Sequence, residues 1–408
     1  MSVYLLATLD TKGTEARFVR DRLRELDVPV VLVDVSGRLG DTAADISRSA
    51  LLEALPAAQR GLDVGASRGD AVALSAAAAA ALVARDYATG KVTGVLGLGG
   101  SAGTVIGTAA MRSLPLGVPK LMVSTLASGQ VRPYVADKDI LMLNAVVDIA
   151  GLNRISRTVL SSAAAAMAGL VQHRRIEARR DDKPLVAATM FGVTTPCVDE
   201  ARRVLEAAGY EVLVFHATGI GGQAMESLIA EGLVAGVLDI TTTELADELV
   251  GGVLSAGPTR LTAAVQARIP QVVSVGALDM VNFGPRSTVP EKFAHRKFHQ
   301  HNATITLMRT TAEENAALGA EIGRKLAGAG DLAEILLPAQ GVSALDAAGQ
   351  PFDDPAARQA LFAGVQEHCG TVPCTVVDRH INDPEFARLA AEALLARLGQ
   401  PAYAGRSP

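Results

Sequence analysis

Short apolar runs alternate with longer amphipathic stretches from the first residues onward. The run Val3 to Thr8 is followed by the polar DTKGTE, an amphipathic stretch from Glu15 to Leu26, and a second apolar run from Val30 to Val33. Apolar runs of this length read as strands covered on both faces, and the stretch between them as a covering helix. Further runs occur at Val92 to Leu96 and Lys120 to Val123, bounded by Gly, Pro or Ser. Between them lie an Ala-rich stretch and the segment Ala102 to Ser113, both helical in pattern. This alternation predicts a mostly parallel sheet with helices on both faces.

A second Ala-rich stretch, Asn153 to Ile176, predicts a helix leading away from this first domain. It ends in the charged segment EARRDDK, residues 177 to 183, which reads as a linker. The pattern then restarts with a strand Leu185 to Thr189, a turn at Thr194-Thr195-Pro196, a helix Val198 to Ala208 closed by Gly209, and a strand Val212 to Phe215. Val234 to Ile240, Gln271 to Val275, Thr304 to Met308, Ala333 to Leu337 and Cys374 to Val377 also read as strands. The expected organisation is two Rossmann-like α/β domains, 1–181 and 182–408. VPVVLVD from 28 and YEVLVFH from 210 correspond, which suggests an internal duplication at an offset of about 182.

Composition narrows the classes. The 408 residues are 49% apolar and 20% charged with 39 Gly, and mean hydropathy is +0.27, as in a packed globular protein and unlike a disordered chain. Lys and Arg number 38 against 43 Asp and Glu, a net −5, with nine Phe, five Tyr and no Trp. General nucleic-acid binding is therefore not expected. Cys197, Cys369 and Cys374 form no dense pattern, which points to a reducing, cytoplasmic setting. Cys197 sits at a helix start after Pro196, where it is either a thiol of lowered pKa or a buried residue. The N-terminus lacks a basic signal-peptide region, and the low-charge stretch Ala71 to Ala84 is Ala-rich and short, so a buried helix is expected there and no membrane span.

The sharpest chemical signal is GLGGSAGT, Gly97 to Thr104, between a strand and a helix. Gly97, Gly99, Gly100 and Gly103 would let backbone N–H groups approach an anion, with Ser101 and Thr104 adding hydroxyls at a helix N-terminus. The alternative is a tight turn with glycines needed for packing. DTKG and VSTLASG leave neighbouring strand ends, where doubly wound sheets gather their ligands. Thr11, Lys12, Gly13, Ser124 and Thr125 are thus candidate phosphate contacts, and Asp34 is a candidate ribose carboxylate or a turn aspartate.

In the second half the same rule gathers a polar pocket for a small ligand. His216, Asp239, Glu244, His380 and Asp383 are the candidate acid–base groups, and Thr241, Thr242, Asp279, Asn282 and Arg309 the candidate substrate contacts. Each has a structural alternative as a cap or satisfied polar group. The run EKFAHRKFHQHN places His295 and His299 four apart with His301 beyond. Without HExxH, a Cys partner or a third ligand on that face, a basic surface segment or a dimer contact is expected and no metal.

Long motifs carry a resemblance. ATLDTKGTE, GLGGSAGT, PYVADKDILMLNAVVDIAGLNRISR, ATMFGVTTPCV, VFHATGIGGQAME, VLDITTTELADELVGG, GALDMVNFGP, TLMRTT and HINDPEFA together resemble the family of the N-terminal domain of the tomato mosaic virus resistance protein, over essentially the whole chain. The resemblance implies two Rossmann-like subdomains, ATP with Mg²⁺ at the phosphate loop, and a homodimer. The plant protein's antiviral action on a viral replication protein is not carried over. Its fused TIM-barrel domain has no counterpart before Pro408, so a separately encoded barrel protein is an expected partner. Two functions follow: an ATP-binding enzyme acting on a small polar or acidic metabolite, or a non-catalytic nucleotide-sensing module for a protein partner.

Overall fold

The computed structural model describes residues 1–37, 43–60, 67–173 and 182–399. The chain divides into two compact units, 1–178 and 179–408. Of the charged segment 177–183, the part up to residue 181 lies outside the described residues, as do the last residues of the helix expected to reach Ile176.

In the first unit, β1 (Ser2–Ala7), β2 (Val30–Asp34), β3 (Val92–Gly99), β4 (Lys120–Ser124) and β5 (Leu141–Asn144) form a sheet in the order β2-β1-β3-β4-β5. All its pairings are parallel. Successive strand residues point to opposite faces, and β1 is apolar on both. Val3, Leu5 and Ala7 pack with Val19 and Leu23 of the helix Leu9–Glu25 and Leu160 and Met167 of the helix Arg154–Gln172. Tyr4 and Leu6 pack with Leu82 and Val83 of the helix Arg68–Ala88 and Ile106 and Met111 of the helix Ser101–Arg112. Arg68–Ala88 is long and apolar enough to cross a membrane by length and composition. Here Ala78, Ala79, Leu82 and Val83 are buried in the protein core, and a capping box between Ser67 and Asp70 starts the helix.

The second unit contains β6 (Leu185–Met190), β7 (Glu211–His216), β8 (Gly236–Thr241), β9 (Gln271–Gly276), β10 (Met280–Phe283), β11 (Phe298–Asn302), β12 (Ile305–Arg309), β13 (Ala333–Pro338) and β14 (Cys374–Val377). Six of them form a parallel sheet in the order β14-β13-β9-β8-β6-β7. The segment β7-β6-β8-β9 repeats the order β2-β1-β3-β4 of the first unit, so the sequence correspondence is also a topological one. Helices cover both faces, and the α/β architecture expected of each half is the one observed.

Three readings are refined. The expected strand at Thr304 to Met308 is β12, which belongs to a separate antiparallel sheet, β10-β12-β11. The histidine-rich segment contains a short 3-10 turn at Glu291–Phe293 and the strand β11, so His295 and His299 do not share a helix face. Among the described residues no group of His, Cys, Asp and Glu could hold a metal. Cys197 is buried, and burial pushes its thiol up to about 12. The lowered-pKa alternative is therefore corrected, because desolvation of the thiolate outweighs the helix start.

Candidate functional site

The strand order of the first unit reverses between β1 and β3, and ligands of doubly wound sheets sit at such a point, beyond the carboxyl ends of the strands. Two helix starts flank it. After β1, the Leu9 N–H donates to Asp34 Oδ1 at 3.3 Å and the Asp10 N–H to Ser36 Oγ at 3.2 Å. The Thr11 and Lys12 N–H groups donate to the Thr8 carbonyl at 3.1 and 2.8 Å. This end is closed by the chain itself. After β3, the helix Ser101–Arg112 has Gly100 as N-cap and no capping side chain, and its first N–H groups have no acceptor within the helix. A Cβ placed on Gly100 would meet only Thr125 Oγ1, at 3.6 Å. An uncapped helix start with space in front of it offers the N–H groups and the dipole that an anion would meet.

The remaining glycines of the motif act differently. β3 extends through Gly99, beyond its apolar run. A Cβ on Gly97 would stand 2.5 Å from Met122 Sδ, one on Gly99 2.6 Å from Gly103 Cα, and one on Gly103 3.0 Å from the Leu98 carbonyl oxygen. These three let the helix pack directly on the strand end. Thr104 Oγ1 donates to the Gly100 carbonyl at 2.7 Å and meets Ser124 Oγ at 2.6 Å, and Ser124 Oγ accepts from the Leu126 N–H at 2.9 Å. Both hydroxyls are buried and hold the turn, whereas exposed Ser101 and half-buried Thr125 stand at the open helix start.

Asp34 is 1% exposed. It accepts from the Leu9 N–H, from the Ser36 N–H at 3.0 Å and from the Ser36 hydroxyl. The turn alternative therefore describes it, and the ribose reading is corrected. Lys12 lies at a kink in the helix Leu9–Glu25 (φ −127°, ψ 19°), and its ammonium donates to the Ile149 carbonyl. Thr11 is exposed and meets the Thr8 hydroxyl at 2.9 Å. Gly13 is buried beside the Arg17 guanidinium.

The second unit assembles its candidates around a residue that sequence reasoning passed over. Arg260 is fully buried among three carboxylates. Its guanidinium donates to both oxygens of Asp239 at 2.6 and 2.7 Å, to Glu244 at 2.7 Å and to Glu226 at 3.3 Å. Asp239 also accepts from Thr189 Oγ1 at 2.7 Å, and Glu244 from the Gly219 and Gly222 N–H groups at 2.7 and 3.0 Å. Burial raises the Glu244 pKa against the opposing pull of Arg260. Glu244 occupies the start of the helix Ile220–Ala230, where an external anion would sit, and a Cβ on Gly222 would collide with its carboxylate.

His380 is equally committed: Nε2 contacts the Ser343 carbonyl at 2.9 Å and Nδ1 accepts from the Asn382 N–H at 3.0 Å. This pattern places the proton on Nε2. Asp383 caps the helix Pro384–Leu398, accepting from the Glu385 N–H at 2.8 Å. Asp239, Glu244 and His380 are thus held in internal bonds, and Asp383 caps a helix with one oxygen while its side chain stays 31% exposed, so the structural alternative describes the first three and half of the fourth. His216 differs: it is exposed at the end of β7, its ring 5.3 Å from that of Phe191.

The five substrate candidates are at most 6% exposed. Thr241 Oγ1 meets Thr194 Oγ1 at 2.7 Å, and Thr242 Oγ1 donates to the Ser274 carbonyl at 3.1 Å. Asn282 Nδ2 donates to Asp247 Oδ2 at 2.7 Å, and Arg309 Nε to the Phe352 carbonyl at 2.8 Å. Asp279 accepts from Ser343 Oγ at 2.8 Å. The open pocket expected here is closed by the insertion between β9 and β13. Its Leu278, Val281, Phe283 and Met308 pack with Leu245, Val273 and Val275.

Two buried acids carry a pH dependence. Burial raises Asp247 to about 7, and burial together with neighbouring Asp346 raises Asp279 to about 7. An unfolded carboxyl titrates near 4. Between pH 4 and 7 the folded protein therefore holds protons that the unfolded chain has released, and stability falls as pH rises through that window, levelling above it. Asp279→Asn, which cannot ionise, should flatten the decline by on the order of 1 kcal/mol per pH unit. Urea denaturation at pH 5 and pH 8 measures this, and an unchanged difference between the two would contradict it.

These features define a protein of two Rossmann-like units, with an uncapped helix start open at Gly100 in the first and a buried ion-pair cluster around Arg260 in the second. The chain belongs to the family described as Uncharacterised protein family (UPF0261), whose N-terminal domain matches residues 1–175 and C-terminal domain residues 183–398. A UPF0261 protein of Clostridium tetani is 47% identical over 397 residues, covering 96% of this chain and 98% of its own length. One from Rhizobium meliloti is 46% identical over 395 residues, covering 96% and 98%. The ToMV susceptible protein tm-1(GCR26) of Solanum lycopersicum is 43% identical over 416 residues, covering 96% of this chain and 55% of the tomato protein.

Proposed function

We propose that the first unit binds ATP, its phosphates cradled at the start of the helix Ser101–Arg112. The observation that carries this reading is the contrast between the two helix starts at the β1/β3 switch point: the first N–H groups of one are taken by the Asp34 and Ser36 side chains, and the other is uncapped with open space at Gly100. The donor set fits a phosphate group, with backbone N–H groups, the Ser101 and Thr125 hydroxyls and the helix dipole. The Lys12 ammonium has protons beyond the one given to Ile149 and adds positive charge on the neighbouring strand end. Mg²⁺ would be held chiefly through phosphate oxygens.

Of the two functional readings, a nucleotide-responsive binding module is the better supported. Three of the five acid–base candidates in the second unit, Asp239, Glu244 and His380, are held in internal bonds, and Asp383 caps a helix. A homodimer, or a separately encoded barrel protein, is the partner we propose for it. The enzyme reading keeps one observation in its favour, exposed His216.

The test is calorimetric titration of the purified protein with Mg–ATP, AMP and adenosine. ATP should bind at least about tenfold more tightly than AMP, because the outer phosphates meet the cradle. Adenosine binding as tightly as ATP would sink the phosphate assignment. Steady phosphate release from ATP on addition of small carboxylic acids or sugar acids would move the balance to the enzyme.

A further inference from the structure

Val146 follows the carboxyl end of β5 with φ +66°, a left-handed backbone conformation that β-branched residues avoid, and it is 69% exposed. A valine this exposed gains little from burial to offset its backbone, and Gly or Asn would adopt the same conformation at lower cost. The surroundings impose it. Ala145 and Ile149 on either side are buried in a core with Leu9 and Leu160. The Ala145 N–H donates to the Ser124 carbonyl at 3.1 Å and the Val146 N–H to Asn144 Oδ1 at 3.2 Å. Beyond it, the Lys12 ammonium holds the Ile149 carbonyl and the Glu15 carboxylate holds the Gly151 N–H.

Its placement relates it to the cradle. Gly99 stands opposite Ser124, and Ser124 opposite Asn144. From the cradle to the end of β5, which Val146 follows, is therefore two inter-strand spacings, about 10 Å. A nucleotide carries its base away from its phosphates on this scale. In the other direction, toward β2, the strand end is taken up by buried Asp34 and its bonds to Leu9 and Ser36.

We propose that Val146 is the apolar wall against which the base of the bound nucleotide packs, an inference that rests on the nucleotide reading of the cradle. A left-handed residue on a pinned loop gives the base a rigid apolar contact at the rim, and the strain is the cost of holding that side chain in place.

The experiment compares wild type, Val146→Gly and Val146→Asn in melting and in titrations with Mg–ATP and with inorganic tripolyphosphate. Both variants relieve the backbone strain, so Tm should rise by about 2–4 °C. ATP should bind roughly tenfold more weakly, because the base no longer has an apolar wall to pack on, while tripolyphosphate affinity stays within about twofold. Unchanged ATP affinity in both variants, or an equal loss for both ligands, overturns the proposal. Wild type binding tripolyphosphate as tightly as ATP overturns it while leaving the anion cradle standing. Wild type binding neither ligand removes the nucleotide reading and this inference with it.

Discussion

Arg260→Ala should destabilise the second unit by about 3–5 kcal/mol, a large part of the stability of a domain of this size. The side chain is fully buried and is the cation that Asp239, Glu244 and Glu226 share. Removing it leaves carboxylates in a low-dielectric interior with no compensating charge, and an uncompensated ionised group there costs far more than the packing of the guanidinium is worth. Two features sharpen the expectation. The loss should shrink at acid pH, where the carboxylates protonate, and it should be partly recovered when Glu244→Gln and Asp239→Asn are added, because the stranded charge is gone. Urea denaturation followed by circular dichroism reads both effects. A loss below about 1 kcal/mol, the value of an exposed pair, would show that these carboxylates reach solvent and would refute the buried cluster.

Gly100→Val should weaken ATP binding by more than about 100-fold while leaving the melting temperature almost unchanged. Backbone freedom is not the reason, since φ −80° lies outside the left-handed region that favours glycine. The reason is space instead. A Cβ on Gly100 meets nothing closer than Thr125 Oγ1 at 3.6 Å, so the folded chain accommodates the first carbon of a side chain there, and a valine is expected to take the volume the phosphates need. Gly99→Ala is the contrasting control: its Cβ would stand 2.6 Å from Gly103 Cα, and overpacking of that kind costs about 1–3 kcal/mol. The two adjacent glycines should separate, one affecting the ligand and the other the fold. Undiminished ATP affinity in folded Gly100→Val would remove the cradle as the nucleotide site.

The alternation of apolar runs and helical stretches was enough to predict two doubly wound halves, because strands buried on both faces must be apolar throughout. Val3 to Ala7 or Val186 to Ala188 can hardly be read otherwise. The antiparallel insertion was not legible in the same way. Its strands β10 and β11 are four and five residues long, and β11 mixes Phe, His, Gln and Asn without the alternation that marks a half-buried strand. Periodicity there has too few positions to declare itself.

At the candidate site the division is sharper. A glycine-rich turn between a strand and a helix marks the cradle, since helix starts bind anions through main-chain groups that every sequence supplies and only glycine leaves accessible. Which glycine would face a ligand is another matter: Gly97, Gly99, Gly100 and Gly103 are alike in sequence and are told apart by their neighbours, Met122 of β4 at Gly97, the helix itself at Gly99, the Leu98 carbonyl at Gly103 and only Thr125 at Gly100. Asp239, Glu244, His380 and Asp383 looked available for proton transfer because residue type and strand-end position announce capacity. Whether that capacity is already spent depends on partners distant in the chain, such as Arg260 or the Ser343 carbonyl. Local pattern thus determined the architecture and the place of the glycine-rich strand-to-helix turn, which rest on periodicity and backbone chemistry. Tertiary structure alone decided which polar groups remain open to a ligand, since hydrogen-bond satisfaction is a property of contacts between residues far apart in sequence.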